Sequence, residues 1–109
     1  MNVRLYVLQR ASAVIMVPLV LVHIAVIFYA ARHGLSAAQI LARTRASIGW
    51  ATFYSLFVLA AATHGAIGVR TLAGEWAGIK GGRLAMLMWG FGLVLAGLGL
   101  RAVAAVVLP

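Results

Sequence analysis

The sequence predicts an all-α integral membrane protein with three transmembrane helices. Of its 109 residues, 65% are hydrophobic and only 9% are charged, whereas a soluble domain is about half apolar and about a quarter charged. Three apolar stretches each reach the length of about 20 residues that crosses a bilayer. A soluble fold would need a core larger than this chain can enclose. We therefore interpret residues 1–109 as a single membrane domain.

The first span is predicted at about residues 11–31. Arg4 and Arg10 precede it, as basic residues precede the apolar part of a signal peptide. A run of about 21 residues exceeds that apolar part and matches a membrane span, so we expect it to be retained. Pro18 is expected to bend this helix without breaking it, because neighbouring groups in a membrane can satisfy the freed carbonyl.

The remaining elements follow in order. The connection 32–47 should contain a short interfacial helix, with Ser36 as its N-cap. The second span is predicted at about 48–72, and a glycine-rich tight loop at 73–83. The third span is predicted at about 84–108.

Small residues recur along the third span at Gly92, Ala96 and Gly99. Such a stripe lets helices approach closely, and it suits packing within the chain and docking to another subunit equally well. Because three spans alone bury little surface, we expect packing against a partner chain.

The charge pattern indicates anchoring in a lipid bilayer and not nucleic-acid binding. The net charge is +8, but the basic residues are single and lie at the ends of apolar runs, where they can meet lipid phosphates. The membrane side that holds the N-terminus carries five of them and the opposite side carries three, and Arg101 is expected to reach the opposite side. This bias predicts a cytoplasmic N-terminus. The five are Arg4, Arg10, Arg70, Lys80 and Arg83; the three are Arg32, Arg43 and Arg45. The chain has no cysteine, which excludes disulfides and thiolate metal sites within it.

His64 is the leading candidate for a functional residue. An imidazole at membrane depth is costly unless something binds it. It could be an axial ligand of haem iron, in an apolar slot whose small neighbours Ala61, Gly65 and Gly68 let the macrocycle approach. The alternative is a neutral histidine that bonds backbone carbonyls or a Ser/Thr hydroxyl on another helix.

Two further histidines need separate interpretations. His23 lies within the first span, at a depth that differs from that of His64 by roughly 6 Å when counted at 1.5 Å per residue from the predicted span ends. It could bind a second haem or be structural. His33 lies at the opposite interface, where a solvated histidine needs no function.

Polar residues near the N-terminal side could form a small-molecule site. Glu75 is the only acidic residue, and with Trp76 it could be either interfacial or the wall of such a site. Arg10 could reach the same layer, with Ser12 one turn deeper. Arg70 could hold a haem propionate through bidentate hydrogen bonds.

These residues resemble a known family, the smaller cytochrome b membrane-anchor subunit of succinate dehydrogenase (complex II) and fumarate reductase. Residues 8–13 (Leu-Gln-Arg-Ala-Ser-Ala) are similar to the family's Arg-Ala-Ser/Thr entry into the first span. His64 and Gly68 match its His-x-x-x-Gly pattern. Glu75 and Trp76 take the place of its Asp-Tyr pair, eleven residues after the histidine. The resemblance covers nearly the whole chain.

The resemblance implies a role in electron transfer. Such an anchor pairs with a second three-helix anchor subunit, and an iron–sulfur subunit and a flavoprotein subunit complete the complex at the bacterial inner membrane. His64 would be an axial ligand of haem b, and Glu75, Trp76, Arg10 and Ser12 would border the site for ubiquinone or menaquinone. His23 resembles the first-span histidine of the two-haem members, which leaves one or two haems open.

The sequence also departs from the family and leaves other functions open. Trp76 replaces a tyrosine, and an indole N–H donates a hydrogen bond but cannot relay a proton. With one acidic residue and no cysteine, the chain would be a non-catalytic subunit that passes electrons to quinone. The alternatives are a holin-like pore, which gives no reason for buried histidines, and a small transporter, which would place its acid at mid-membrane.

Overall fold

The predicted membrane helices and the short connecting helix are all present in the computed structural model, which describes residues 2–108. In order, these are α1 (Val3–Arg32), α2 (Ala37–Thr44), α3 (Ile48–Trp76) and α4 (Gly82–Val107). Within the described residues there is no β-strand. The helices α1, α3 and α4 are long and apolar enough to cross a membrane, which confirms the predicted fold class.

The first helix, α1, is longer than its predicted span. It begins at Val3, and the side chain of Asn2 caps it by accepting a hydrogen bond of 2.9 Å from the Leu5 N–H. Its 30 residues exceed the roughly 20 that cross the hydrocarbon layer. The turns before Ala11 therefore lie outside the predicted span. The helix continues through Pro18, as predicted.

The central helix, α3, also runs past its predicted end. It ends at Trp76 and not near Leu72, so Glu75 and Trp76 lie in its last turn. The loop to α4 is confined to residues 77–81. Below, the turns 3–10 of α1 and 73–76 of α3 are called the projecting turns.

The predicted interfacial helix α2 begins with a capping box. The Ser36 hydroxyl accepts from the Gln39 N–H at 3.2 Å, and the Gln39 side-chain oxygen accepts from the Ser36 N–H at 2.7 Å. These two bonds satisfy donors that a helix start leaves free. The prediction of Ser36 as the N-cap is confirmed.

The end of α2 and the turn after it cap the C-terminus of α4. The Thr44 hydroxyl donates to the Val106 carbonyl at 2.6 Å, and the Ala46 N–H donates to the Val107 carbonyl at 2.8 Å. The last carbonyls of a helix have no partner within it. The connection between α1 and α3 is thereby tied to the far end of α4.

In this bundle α3 is central. It packs against α1 on one side and α4 on another, whereas α1 and α4 make few contacts with each other. Only five apolar residues are buried among those described: Ala60, Ala62, Ala66, Ile67 and Val103. Most of the apolar surface is therefore left for lipid or for another subunit.

Small residues of α4 make its contact with α3 close. A Cβ built on Gly92 would lie 2.9 Å from the Ala66 Cβ, and one built on Gly99 would lie 2.5 Å from Val58 Cγ1. Both distances are below ordinary van der Waals separation. These two members of the predicted stripe therefore serve packing within the chain.

We expect Gly99→Ala to destabilise the bundle by about 1–3 kcal/mol, because the added methyl group overpacks the contact with Val58. Gly97→Ala is the matched control, since it lies in the same helix and a Cβ there meets nothing within 4 Å. That control should be neutral or slightly stabilising, because alanine is the better helix former. Unfolding in detergent micelles measures both variants; equal stabilities would contradict the close α3–α4 contact.

Candidate functional site

The candidate site is centred on His64, which α3 directs toward α1. Its Nδ1 lies 3.3 Å from the Ser12 hydroxyl oxygen. Ser12 is only 5% exposed, and its hydroxyl also donates to the Gln9 carbonyl at 3.0 Å. The structure thus brings together two residues that the sequence analysis had placed in separate sites, 52 positions apart in the chain.

A groove of about 350 Å³ lies beside His64 and opens outward. Its other lining residues are side chains of α1: Ala13, Met16, Val17, Val20 and Leu21. A half-buried imidazole is thus the only polar side chain in an otherwise apolar groove. Such a surface suits a flat, largely apolar ligand held at one polar point.

The small residues near His64 divide between two faces of α3. Gly68 faces α1, where a Cβ would lie 3.6 Å from the Gln9 side-chain nitrogen. Gly65 faces α4, where a Cβ would lie 3.2 Å from Leu95 Cδ1. The prediction that Gly65 lines the histidine slot was therefore wrong, because one residue turns a helix by about 100°.

Gln9 is a polar residue of this site to which the sequence analysis gave no role. Its side-chain oxygen is buried and has no hydrogen-bond partner among the described residues. It precedes Ser12 by three residues, so both project from the same face of α1. The spacing of three residues between Gln9 and Ser12 was therefore the sequence signal that could have identified Gln9 as part of the site.

His23 lies in different surroundings. Its ring meets Phe57 and Tyr54 edge to face, at centroid distances of 5.1 and 6.0 Å. Its Nδ1 is buried without a hydrogen-bond partner among residues 2–108. Cavities of about 370 and 540 Å³ both reach it, and Ile40 and Thr44 line both of them. The aromatic neighbours on α3 were not predicted, although their i, i+3 spacing was visible.

The two membrane histidines are farther apart in depth than the predicted 6 Å. Ser12, which contacts His64, precedes His23 by eleven residues, or about 16 Å along α1. Phe57, which contacts His23, precedes His64 by seven residues, or about 10 Å along α3. The predicted difference was too small because it assumed that the start of the first span and the end of the second lie at the same depth, whereas Ser12, at the start of the first, lies at the level of His64. His23 and His64 therefore belong to two sites.

The exposed His33 lies where it was expected. Its ring stacks on Tyr29 at a centroid distance of 4.2 Å, and its Nδ1 lies 2.9 Å from the Tyr29 carbonyl oxygen. These two contacts are enough to hold the His33 ring at the interface.

Glu75 and Trp76 lie on the projecting turn of α3, and both are exposed. Eleven residues separate Glu75 from His64, so the two differ by only about 20° around α3 and about 16 Å along it. His64 and Glu75 therefore project from one face of α3, and Glu75 lies at the end of the helix that meets water.

The backbone of Arg10 lies deeper than that of Glu75. It precedes Ser12 by two residues, which places it about 3 Å along α1 from the level of His64 and so about 13 Å from that of Glu75. Its guanidinium lies 5.4 Å from the centre of the Tyr6 ring, on the projecting turns of α1. The side chain thus turns from the level of the Arg10 backbone toward the end of the bundle that carries Glu75, and its reach into that layer stays a prediction.

Arg70 leaves α3 on another face. Six residues after His64, it is rotated by about 120° from that histidine and lies about 9 Å toward the end of the helix. Its side chain is half-buried. The arrangement does not bring it beside the groove of His64.

The fold agrees with what comparison with known proteins finds. The family model described as the succinate dehydrogenase/fumarate reductase transmembrane subunit matches residues 1–107, which include all four helices. No curated protein and no solved structure matches the chain. Three helices of membrane-spanning length and this match make it a multi-pass membrane protein. The chain therefore belongs to the family of succinate dehydrogenase/fumarate reductase transmembrane subunits, which associate with the other subunits of those enzymes.

Proposed function

We propose that this chain is the anchor subunit of a succinate:quinone oxidoreductase that helps bind haem b and borders the quinone site. The observation that carries the proposal is His64, fixed by Ser12 in a membrane helix and directed at an apolar groove. Family membership supplies the context of an electron-transfer complex. A haem b bound there supplies a one-electron redox centre between the iron–sulfur subunit and quinone.

The residues of the groove fit such a group. His64 offers a ring nitrogen to iron, and the α1 side chains beside it are apolar, the Met16 thioether being the one among them that could also bind iron. The groove is open on its outer side, so the second anchor subunit would supply its other wall and any further ligand to the iron. Arg70 stays a candidate for a propionate, although its face supports that role less well.

The quinone site would lie near the projecting turns. Glu75 and Trp76 are exposed at the end of α3, where the carboxylate can accept and the indole N–H can donate a hydrogen bond. Arg10 and Ser12 lie deeper, toward His64, so they would border the inner part of the site. With the N-terminus cytoplasmic, as the charge bias predicts, these turns would face the iron–sulfur and flavoprotein subunits.

His23 is the candidate ligand of a second haem. A buried Nδ1 without a partner and two adjoining cavities support that role, since an unpaired buried polar atom is costly. The structural alternative is an imidazole held by the edges of Phe57 and Tyr54. The depth of at least about 10 Å between His23 and His64 favours separate haems over a shared one.

The first test is to purify the complex through a tag on this chain and to count its cofactors. We expect flavin, iron–sulfur clusters and haem b to co-purify, the last quantified from the reduced-minus-oxidised spectrum and as pyridine haemochrome. One haem per complex would support His64 as the ligand and His23 as structural. Two haems per complex would support both histidines as haem ligands. Absence of haem would refute the haem role and leave an anchor that borders the quinone site.

A further inference from the structure

The Ser12 hydroxyl lies between two polar atoms of different kinds. The Gln9 carbonyl oxygen, at 3.0 Å, is an acceptor without a proton. The His64 Nδ1, at 3.3 Å, can be either a donor or an acceptor. Since Ser12 is buried, its hydroxyl cannot turn to bulk water instead.

The number of protons decides the direction of both hydrogen bonds. A serine hydroxyl has one proton and two lone pairs. Two oxygen lone pairs at 3.0 Å repel each other unless a proton lies between them, so the Ser12 proton must be donated to the Gln9 carbonyl. The contact with His64 is then a hydrogen bond only if the imidazole Nδ1 carries a proton and donates it to Ser12.

We propose that Ser12 is a positioning residue that fixes His64 as the Nδ1–H tautomer and leaves the lone pair on Nε2. This inference rests on the proposed function, because the lone pair matters if Nε2 is the atom that binds haem iron. A neutral imidazole carries only one proton, so protonation of Nδ1 is what makes Nε2 a ligand. The opposite tautomer would present an N–H to the iron.

The same hydrogen bond should tune the ligand. A metal-binding histidine that donates its other N–H to an oxygen is held in one ring orientation and becomes more basic. A more basic ligand stabilises the oxidised iron and lowers the reduction potential of the haem. Backbone and side chain act together, because the Gln9 carbonyl holds the Ser12 proton away from His64.

The tautomer can be measured without haem. We would label the histidines of the full chain with ¹⁵N, place the chain in detergent micelles and assign His64 by its absence from His64→Ala. We expect the Nδ1–H pattern in the wild type and loss of that preference in Ser12→Ala. An Nε2–H pattern for His64 in the wild type would overturn the proposal.

The haem-bound complex supplies the second test. Ser12→Ala should raise the haem midpoint potential and weaken haem retention by about 10–100-fold. Ser12→Thr keeps a hydroxyl that can bond a preceding carbonyl, so it should restore both properties. Thr63→Ala is the matched control, because that hydroxyl bonds the Leu59 carbonyl at 2.8 Å and not His64.

The two measurements separate failure of this inference from failure of the proposed function. If the wild-type complex contains haem and Ser12→Ala changes neither the haem midpoint potential nor the haem content, the role of Ser12 alone is overturned. A wild-type complex without haem would refute the proposed ligand role of His64. In that case the NMR measurement still decides whether Ser12 fixes the tautomer.

Discussion

His64→Ala is expected to remove the haem b absorbance of the purified complex. The substitution deletes the one imidazole in the apolar groove beside α1, and with it the ring nitrogen that we propose binds the iron. It also removes one of the two hydrogen-bond partners of the buried Ser12 hydroxyl and leaves the Gln9 carbonyl as the other. The reduced-minus-oxidised spectrum and pyridine haemochrome measure the loss, which should exceed 90% of one haem equivalent, since methyl offers iron no lone pair.

The matched control is His33→Ala, which also deletes an imidazole but at an exposed position stacked on Tyr29. It should retain full haem content. Flavin and iron–sulfur clusters should still co-purify with His64→Ala, which separates haem loss from failed assembly. Wild-type haem content in His64→Ala would refute the ligand assignment, and His23→Ala tests a second haem in the same way.

Substitutions at the end of α3 are expected to impair quinone reduction while succinate oxidation with a soluble acceptor continues. Trp76→Phe keeps an aromatic ring but loses the indole N–H, so we expect a loss of about tenfold in kcat/KM for quinone, the effect of one hydrogen bond. Glu75→Gln removes a charged acceptor and should cost up to about 100-fold. Both assays are run on the same membranes.

Lys80→Gln is the control for charge at this end of the bundle, since Lys80 is an exposed residue of the 77–81 loop. It should change neither assay by more than about twofold. Equal loss in both assays for Glu75→Gln or Trp76→Phe would indicate an assembly defect. No loss in either would exclude these residues from the quinone site.

Composition and apolar length predicted the helices well, because both report how the chain meets lipid. The three spans, the capped interfacial helix at Ser36 and the membrane position of His64 all followed from the sequence. Hydropathy does not reveal where a helix ends, so the projecting turns of α1 and α3 were missed.

Contacts between helices were harder to predict, because they depend on how α1 and α3 are shifted and rotated against each other. The pairing of Ser12 with His64, the burial of Gln9 and the aromatic neighbours of His23 all depend on that register. Periodicity alone gave the face of each residue on its own helix. Periodicity does not reveal which face of the neighbouring helix a given residue will contact.

The central place of α3 has a consequence for how the protein is made. During synthesis α1 enters the membrane first, and its main packing partner within the chain follows only with α3, because α1 and α4 hardly touch. The contact between Ser12 and His64 requires α1 and α3 alone. A nascent chain that has inserted only as far as Trp76 already contains both sides of that contact, so the groove beside His64 can form before α4 has left the ribosome.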